Sequence, residues 1–349
     1  MTDPKLRITF RDIAKAAGVN LSTVSLALRD NPRISLETRE RIRAVAESLG
    51  YQPNPLLSVY QASIRAAKPP EYRATLAWID DGPDEYRWDK PWMKPLLEAA
   101  RERASSLGFR IDTIWLPNVE REDPAANFRR WEQILRARQI FGVLLPTMAN
   151  RNHFDLPWEG FSVVCLGSYR VFSGGTSMES GGRHHHVSSD DALNILKAIM
   201  KLRESGCRKI GLAIARHNDF ESNRAYSAMF TRECLEWPEE EVVPILYSNH
   251  IPDLLPWIKK HRPDAIICAH GGIRAGLEAA GYRIPGDFRL VHLNLAPDVA
   301  GWTGIDRRMD CIASAAINLL SEHLIHNETG VPPFAKGVSI EGVWVEGQT

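Results

Sequence analysis

Residues 9–28 read TFRDIAKAAGVNLSTVSLAL, and this stretch decides the fold of the amino-terminal part of the chain. Its first half has apolar residues at intervals of three and four, as on one face of an α-helix: Phe10, Ile13, Ala14 and Ala17. Gly18 then ends this helix, because glycine readily adopts the left-handed conformation found at helix ends. The stretch therefore predicts two short helices joined by a tight turn, which is a helix-turn-helix motif.

The second predicted helix has one apolar side and one outward-facing side. Val24, Ala27 and Leu28 predict the side that packs on the first helix. At about 100° per residue, the opposite side carries Leu21, Ser22, Ser25, Leu26 and Arg29. In a helix-turn-helix protein this outward side enters the major groove of DNA. The alternative is that Leu21 and Leu26 belong to the core.

A third helix is predicted after Ser35. The Ser35 hydroxyl is suited to an N-cap, and Glu37 follows in the first turn, where a negative charge is favourable. The apolar positions of this helix are Ile42, Val45, Ala46 and Leu49. Residues 7–50 therefore predict three or four short helices around one small core.

The charge is unevenly distributed along the 349 residues, although the net charge is zero. Residues 1–68 contain 11 Lys and Arg against six Asp and Glu, whereas the remainder contains 32 against 37. A basic first fifth on an acidic remainder is typical of a polyanion-binding module joined to another domain. Neither an apolar run of about 18 residues nor a secretory signal pattern is present. We therefore expect a cytoplasmic protein that does not associate with membranes.

Beyond residue 72, apolar strand-like runs alternate with helical segments. The strand-like runs are residues 75–79, 110–116, 142–145, 162–166, 209–215, 265–268 and 289–293. The helical segments include residues 95–107, 128–136, 192–205 and 310–326. This alternation predicts doubly wound α/β architecture with parallel sheets. The units are too many for one sheet, so we expect two α/β lobes with a cleft between them.

A set of short motifs in the first 54 residues points to a known family. They are Ile13-Ala14, Ala17-Gly18-Val19, Ser22-Thr23-Val24-Ser25, Ser35, Thr38-Arg39, Ile42 and Leu49-Gly50-Tyr51-Gln52-Pro53-Asn54. Together they closely resemble the headpiece of the LacI/GalR (lactose-repressor) family of transcriptional regulators. The resemblance implies a homodimer, most often a repressor, that binds a pseudo-palindromic operator in double-stranded DNA.

The resemblance also assigns roles to residues of the headpiece. It places base contacts at Leu21, Ser22 and Leu26, and backbone or positioning contacts near Asn20, Thr23, Ser25, Ser35 and Asn54. The family often has Arg or His at the position of Leu26. A leucine offers only apolar contact, most naturally to thymine methyl groups, so we predict a half-site that depends less on guanine at that point.

The connector departs further from the family. The resemblance implies a hinge helix whose apolar side chain wedges into the minor groove, which falls on Tyr60, with Leu56 and Leu57 as alternatives. We therefore expect a headpiece at residues 1–54, a hinge at 55–72 and an effector-binding and dimerisation domain at 73–349.

Two later stretches, CRKIG at residues 207–211 and GYRIPGDF at 281–288, carry the same resemblance. They imply a periplasmic-binding-protein-like domain with a first lobe at about 73–175 and 302–328 and a second at about 176–301 and 329–346. Ligands of such folds lie between the lobes, at the carboxyl ends of the strands. The residues expected there are Asp81, Ser168, His270 and Asn294.

Three further effector contacts are implied by the resemblance. Trp88 and Trp92 lie where the family usually has a stacking aromatic, and Arg224 matches its effector-contacting arginine. Asn294 replaces a common aspartate. Aromatic faces with Arg, Asp and Asn suggest a hydroxyl-rich carbohydrate as the effector. The alternatives are that the two tryptophans pack under a loop and that Arg224 forms a surface salt bridge.

Enzymatic and metal-dependent functions are not predicted. No phosphate loop, Gly-x-Ser-x-Gly elbow or His-Glu-x-x-His motif is present, so no catalytic residue is expected. The neighbouring histidines at 184–186 would face opposite sides of an extended segment and have no Cys or Glu at ligand spacing. Neither a metal nor another cofactor is therefore expected. Two other functions remain open: a ligand-binding module that has lost DNA recognition, and a regulator switched by a partner protein.

Overall fold

The computed structural model describes residues 10–28, 34–49, 51, 72–80, 89–91, 93–115, 132–146, 158–167 and 184–349. The chain divides into two units, residues 1–70 and 71–349. Some residues with predicted roles lie outside the described ones: Arg29, Asn54, Leu56, Leu57, Tyr60, Asp81, Trp88, Trp92 and Ser168. The side chains of Ser22 and Ser25 are likewise outside the description.

Three helices form the described part of the first unit: α1 (Phe10–Ala17), α2 (Leu21–Ala27) and α3 (Leu36–Ser48). Their buried core consists of Ile13, Ala17, Val24, Ala27, Ile42 and Ala46. All six were expected from the helical periodicity, and the three predicted helices are confirmed.

The turns of this unit follow from single residues. Gly18 ends α1 with a φ of 65°, a left-handed value that costs glycine nothing. The Val19 amide donates to the Ala14 carbonyl at 3.1 Å, and the Arg41 guanidinium donates to the Ala17 carbonyl at 3.0 Å. Arg41 thereby links α3 to the end of α1.

The second unit alternates strands and helices. The strands are β1 (Ala74–Asp80), β2 (Phe109–Trp115), β3 (Gly142–Leu145), β4 (Ser162–Leu166), β5 (His185–Ser189), β6 (Ile210–Ala213), β7 (Ala265–Cys268), β8 (Arg289–His292), β9 (Thr303–Asp306), β10 (Gly337–Ile340) and β11 (Val343–Val345). The helices are α4 (Lys94–Ser106), α5 (Asp191–Glu204), α6 (Arg216–Glu221), α7 (Ala225–Cys234), α8 (Ile251–His261), α9 (Gly272–Ala279) and α10 (Met309–His326).

The first lobe is built on a parallel sheet with the strand order β10-β5-β4-β3-β1-β2. Helices α4 and α10 cover one face, where Trp78 and Leu97 are buried. The other face packs against Trp158 and Phe161. Apolar cover on both faces explains why the strands read as continuous hydrophobic runs.

The second lobe is built on a sheet with the order β11-β9-β8-β7-β6. It is parallel apart from the edge strand β11, which runs antiparallel to β9. Helices α5 and α7 pack on one face through Ile195 and Phe230, and α8 and α9 pack on the other through Leu254 and Ile273. The predicted pair of doubly wound sheets is confirmed.

The chain changes lobes at points that differ from the expected ones. Strands β5 and β10 were expected in the second lobe and pair in the first sheet, whereas β9 was expected in the first lobe and pairs in the second. The crossings therefore lie at residues 190, 307–308 and 341–342. Lobe membership depends on hydrogen bonds between distant strands, which local apolar patterns do not record. No helix among the described residues is long and apolar enough to span a membrane.

Candidate functional site

The first candidate site is the outward side of α2. Leu21 is 47% exposed, Leu26 is half-buried, and neither belongs to the core of the three helices. Asn20 is exposed at the start of α2 and makes no capping hydrogen bond with its side chain. Burial of Val24 and Ala27 fixes the opposite side of the helix, so this side of α2 faces outward. The alternative that Leu21 is a core residue is wrong.

Thr23 and Ser35 are the other described residues with predicted DNA contacts. Thr23 is half-buried and Ser35 is exposed. The Ser35 hydroxyl accepts from the Thr38 amide at 3.4 Å and donates to the Thr38 hydroxyl at 2.8 Å. Ser35 is therefore the N-cap of α3, as predicted, and its hydroxyl lies at the positive end of that helix.

The second candidate site is a cavity of about 410 Å³ between the two lobes of residues 71–349. Its wall in the first lobe is largely apolar and is formed by Met93, Leu96, Leu166, Gly167, Ser188, Ser189, Met309 and Ile312. Its wall in the second lobe is largely polar and is formed by His217, Asn218, Glu221, Ala269, His270, Gly271, His292, Asn294, Ala296 and Asp298. Arg307, at one crossing between the lobes, completes the described lining.

Two histidines at the ends of neighbouring strands are held in one tautomer. Nδ1 of His270 accepts from the Gly272 amide, and Nδ1 of His292 accepts from the Asn294 amide, each at 3.1 Å. In the neutral ring the proton is then on Nε2, so each histidine offers a donor there. Burial lowers the pKa of His292 to about 4. His292 is therefore neutral at physiological pH.

The cavity also contains two buried polar atoms without partners. Nε2 of His292 and Oδ1 of Asn294 have no hydrogen-bond partner among the described residues. The His292 side chain is nearly fully buried, with its ring edge-on to Trp302 at 5.4 Å. An unsatisfied buried polar group costs free energy, and a ligand with matching groups removes that cost.

A buried charge network lies at the crossings between the lobes. Arg307 forms an ion pair with Asp191 at 3.0 Å, and the Tyr226 hydroxyl donates to the same carboxylate at 2.9 Å. Burial and the Asp191 charge both raise the pKa of Tyr226, so it stays protonated as the donor. Burial opposes the charge on Arg307, but the combined effect of Asp191, Tyr226 and Glu221 outweighs it and raises the pKa of the guanidinium. The network joins the two crossing segments to α7.

The predicted effector residues are only partly brought together. His270 and Asn294 line the cavity, whereas Arg224 is exposed at the start of α7 and does not line it. Asp81, Trp88, Trp92 and Ser168 lie outside the described residues. Sequence reasoning missed several lining residues, namely Ser188, Ser189, His217, Asn218, Glu221, His292, Asp298 and Arg307. The first turn of a helix that directly follows a buried strand is the signal that would have found His217 and Asn218.

His185, one of the three consecutive histidines at 184–186, has side-chain neighbours that the sequence analysis did not predict. The ring of His185 lies 4.1 Å from that of His323, whose Nδ1 is 3.1 Å from Glu328, and these three are close enough to share a metal ion. The backbone amide of Lys336 already donates to Nδ1 of His185, and the Lys336 ammonium is 3.7 Å from Glu328. A metal ligand needs a free lone pair and no competing cation, so the arrangement disfavours a metal.

Comparison with known proteins finds a matching family model for each of the two units. The sequence model described as "Bacterial regulatory proteins, lacI family" matches residues 9–54. The model described as "Periplasmic binding protein-like domain" matches residues 199–349. The transcriptional regulator GalR of Streptococcus thermophilus is 23% identical over 304 residues, which is 82% of each chain.

Two solved structures have the same fold over almost the whole length. One is the transcriptional regulator CelR in complex with cellobiose, with a TM-score of 0.57, 18% identity, and coverage of 98% of this chain and 99% of that one. The other is the Lac repressor dimer bound to operator and the anti-inducer ONPF, with a TM-score of 0.54, 15% identity and coverage of 99% of both. A helix-turn-helix headpiece joined to this two-lobed domain defines a DNA-binding transcriptional regulator. The headpiece belongs to the lacI family of bacterial regulatory proteins, and the chain as a whole resembles the LacI/GalR regulators.

Proposed function

We propose that this regulator binds a pseudo-palindromic operator as a homodimer in the cytoplasm, and that a carbohydrate bound between the lobes changes its operator affinity. Repression is the expected mode. The main support for the proposal is the cavity between the lobes. In this cavity, Nε2 of His292 and Oδ1 of Asn294 have no hydrogen-bond partner among the described residues. A sugar hydroxyl can accept from the first and donate to the second.

The outward side of α2 is the proposed reading surface. Leu21, Ser22 and Leu26 would contact base edges in the major groove, and the neighbouring polar residues would contact the backbone: Asn20, Thr23, Ser25, Arg29, Ser35 and Asn54. Leu57 and Tyr60 are the proposed hinge contacts in the minor groove. The exposure of Leu21 supports this proposal, since an apolar side chain that is neither core nor covered suits a thymine methyl group.

The polar wall of the cavity supports a hydroxylated ligand. His292, Asn218 and Asn294 supply neutral hydrogen-bonding groups, His270 adds a further polar side chain, and the apolar wall opposite can cover a sugar ring. The relative CelR was solved with cellobiose, which agrees with this class of ligand. Asp81, Trp88, Trp92, Ser168 and Arg224 remain candidates for additional contacts.

The position of the cavity suggests how a ligand would act. Ser188 and Ser189 belong to the first lobe and His270 and His292 to the second, so one ligand can contact both. A ligand that prefers one arrangement of the lobes shifts the population toward it, by an amount set by its difference in affinity.

The test is operator affinity measured with and without sugars. An operator is first obtained by selection from random duplexes, and its dissociation constant is then measured at fixed salt with a panel of sugars. We expect at least one sugar to change the constant, and we expect His292→Ala to lose that response while retaining operator affinity. Glu278→Gln serves as the matched control, because Glu278 pairs with Arg274 on α9 and does not line the cavity.

The outcomes separate the alternatives. Failure to bind any duplex at low salt would indicate a ligand-binding module without DNA recognition. Operator binding that no sugar changes, but that a purified protein partner does change, would indicate a regulator switched by that partner. Either result contradicts the proposal.

A further inference from the structure

The described lining of the cavity has more negatively charged side chains than positively charged ones. Among the described lining residues, Arg307 is the one Lys or Arg, and Asp191 neutralises it at 3.0 Å. Glu221 and Asp298 bring two carboxylates, and neither forms an ion pair with a described residue. The described lining therefore presents an excess of negative charge to a ligand.

The two carboxylates have different surroundings. Glu221 lies close enough to Arg307 to interact electrostatically with it. Asp298 is exposed in the turn Pro297–Val299 and is close enough to interact electrostatically with His292, which burial keeps neutral. The Asp298 carboxylate thus has no cation beside it among the described residues and is the better receptor for a charged group of a ligand.

The neighbouring groups define the rest of the ligand. Next to Asp298, His292 is 5% exposed and offers an unpartnered Nε2–H, and Asn294 offers an unpartnered Oδ1. One hydroxyl can accept from the first and donate to the second, whereas an ammonium group can donate to Oδ1 but cannot accept from Nε2–H. A ligand that uses all three residues carries a hydroxyl and a positive charge close together.

We propose that the effector is a polyhydroxylated molecule with a protonated primary amine, that is, an amino sugar or amino polyol. Its ammonium group donates charge-assisted hydrogen bonds to Asp298, and a neighbouring hydroxyl accepts from His292 and donates to Asn294. This inference rests on the proposed function, because it assumes that the cavity is the effector site. Beyond the proposed function, the inference specifies that the ligand carries a positive charge.

The test compares amines with their neutral counterparts on the full-length chain. Glucosamine, galactosamine and mannosamine are titrated by calorimetry at pH 6.5 and fixed ionic strength, beside glucose, galactose, mannose and the three N-acetylated forms. We expect at least one amine to bind about tenfold or more tightly than both its parent sugar and its acetylated form, as a charge-assisted hydrogen bond to an unpaired carboxylate should give.

Variants then assign the preference to the carboxylate. Asp298→Asn should bring the amine and its parent sugar within about threefold of each other by weakening the amine alone. Glu221→Gln should reduce the preference less, because Arg307 lies beside Glu221. Glu278→Gln should leave every affinity unchanged, since Glu278 is on the surface of α9 away from the cavity.

Each result has a definite meaning. Equal binding of amines and parent sugars, or a preference that survives Asp298→Asn, overturns the inference and leaves the proposed function standing. If neither amines nor neutral sugars bind, both the inference and the carbohydrate proposal fail.

Discussion

At the scale of single residues, Leu26 sets what the headpiece can read. It is half-buried on the outward side of α2 and offers no hydrogen-bonding group. An arginine at this position could form two hydrogen bonds to guanine, which discriminate against other bases by about 1–3 kcal/mol. The residue at position 26 should therefore determine which base the operator has at the contacted position.

We expect Leu26→Arg to change the selected operator. Selection from random duplexes should give half-sites with an added guanine preference for the variant and none at that position for the parent. Leu26→Met is the matched control, because it keeps an apolar side chain of similar volume. An obligatory guanine opposite Leu26 in the parent, or identical operators for parent and Leu26→Arg, would contradict this account.

At the scale of elements, α3 depends on its cap. Ser35→Ala removes the side-chain acceptor for the Thr38 amide, which should cost about 1 kcal/mol of helix stability. Ser35→Asp should retain the cap and weaken DNA binding, because a carboxylate at a phosphate contact repels the backbone. Hydrogen exchange in the first turn of α3 reports the cap, and operator affinity reports the contact.

The two variants test separate statements. Unchanged exchange in Ser35→Ala would show that the hydroxyl does not stabilise the helix. Undiminished operator affinity in Ser35→Asp would show that Ser35 lies away from the phosphates.

The elements also show what the sequence could predict. The headpiece was predictable because its core residues, such as Ile13 and Val24, recur with helical spacing within a short stretch. Strand β5, which reads HHVSS, was expected as an extended segment of the second lobe and not in the first sheet, because its pairing between β4 and β10 depends on distant segments of the chain. His185 is accommodated there because its Nδ1 accepts from the Lys336 amide, a residue 151 positions away.

The cavity was predictable to the extent that it depends on strand ends. His270 and Asn294 were found because each closely follows an apolar strand. Glu221 and Arg307 were not found, because their position depends on a short helix and on the pairing of β9 with β8. Arg224 was expected in the cavity from its motif, but in the structure it is exposed outside the lining.

At the scale of the whole molecule, buried histidines should make stability depend on pH. Burial lowers the pKa of His184 and that of His292 to about 4 each, whereas in an unfolded chain histidine has a pKa of about 6.5. Between these values the unfolded chain binds protons that the native chain does not. Stability should therefore fall as the pH falls from about 6.5 toward 4.

We expect the melting temperature to decrease between pH 7 and pH 4.5, and to decrease less in His184→Phe. The phenyl ring can keep the edge contact with Trp158 and cannot be protonated. His250→Asn is the control, because His250 is exposed. An equal loss on acidification in His184→Phe and the parent would show that His184 does not contribute.

The whole regulator is expected to be held on operator DNA by the outward side of α2. The most direct measurement is the dissociation constant for a selected operator as a function of salt concentration, for the parent and for Leu21→Asp. We expect the dissociation constant of the parent to rise steeply with salt, and we expect a large loss of operator affinity for the variant, which places a negative charge on the reading surface. If Leu21→Asp bound the operator as tightly as the parent with the same salt dependence, α2 would not be the helix that reads the operator.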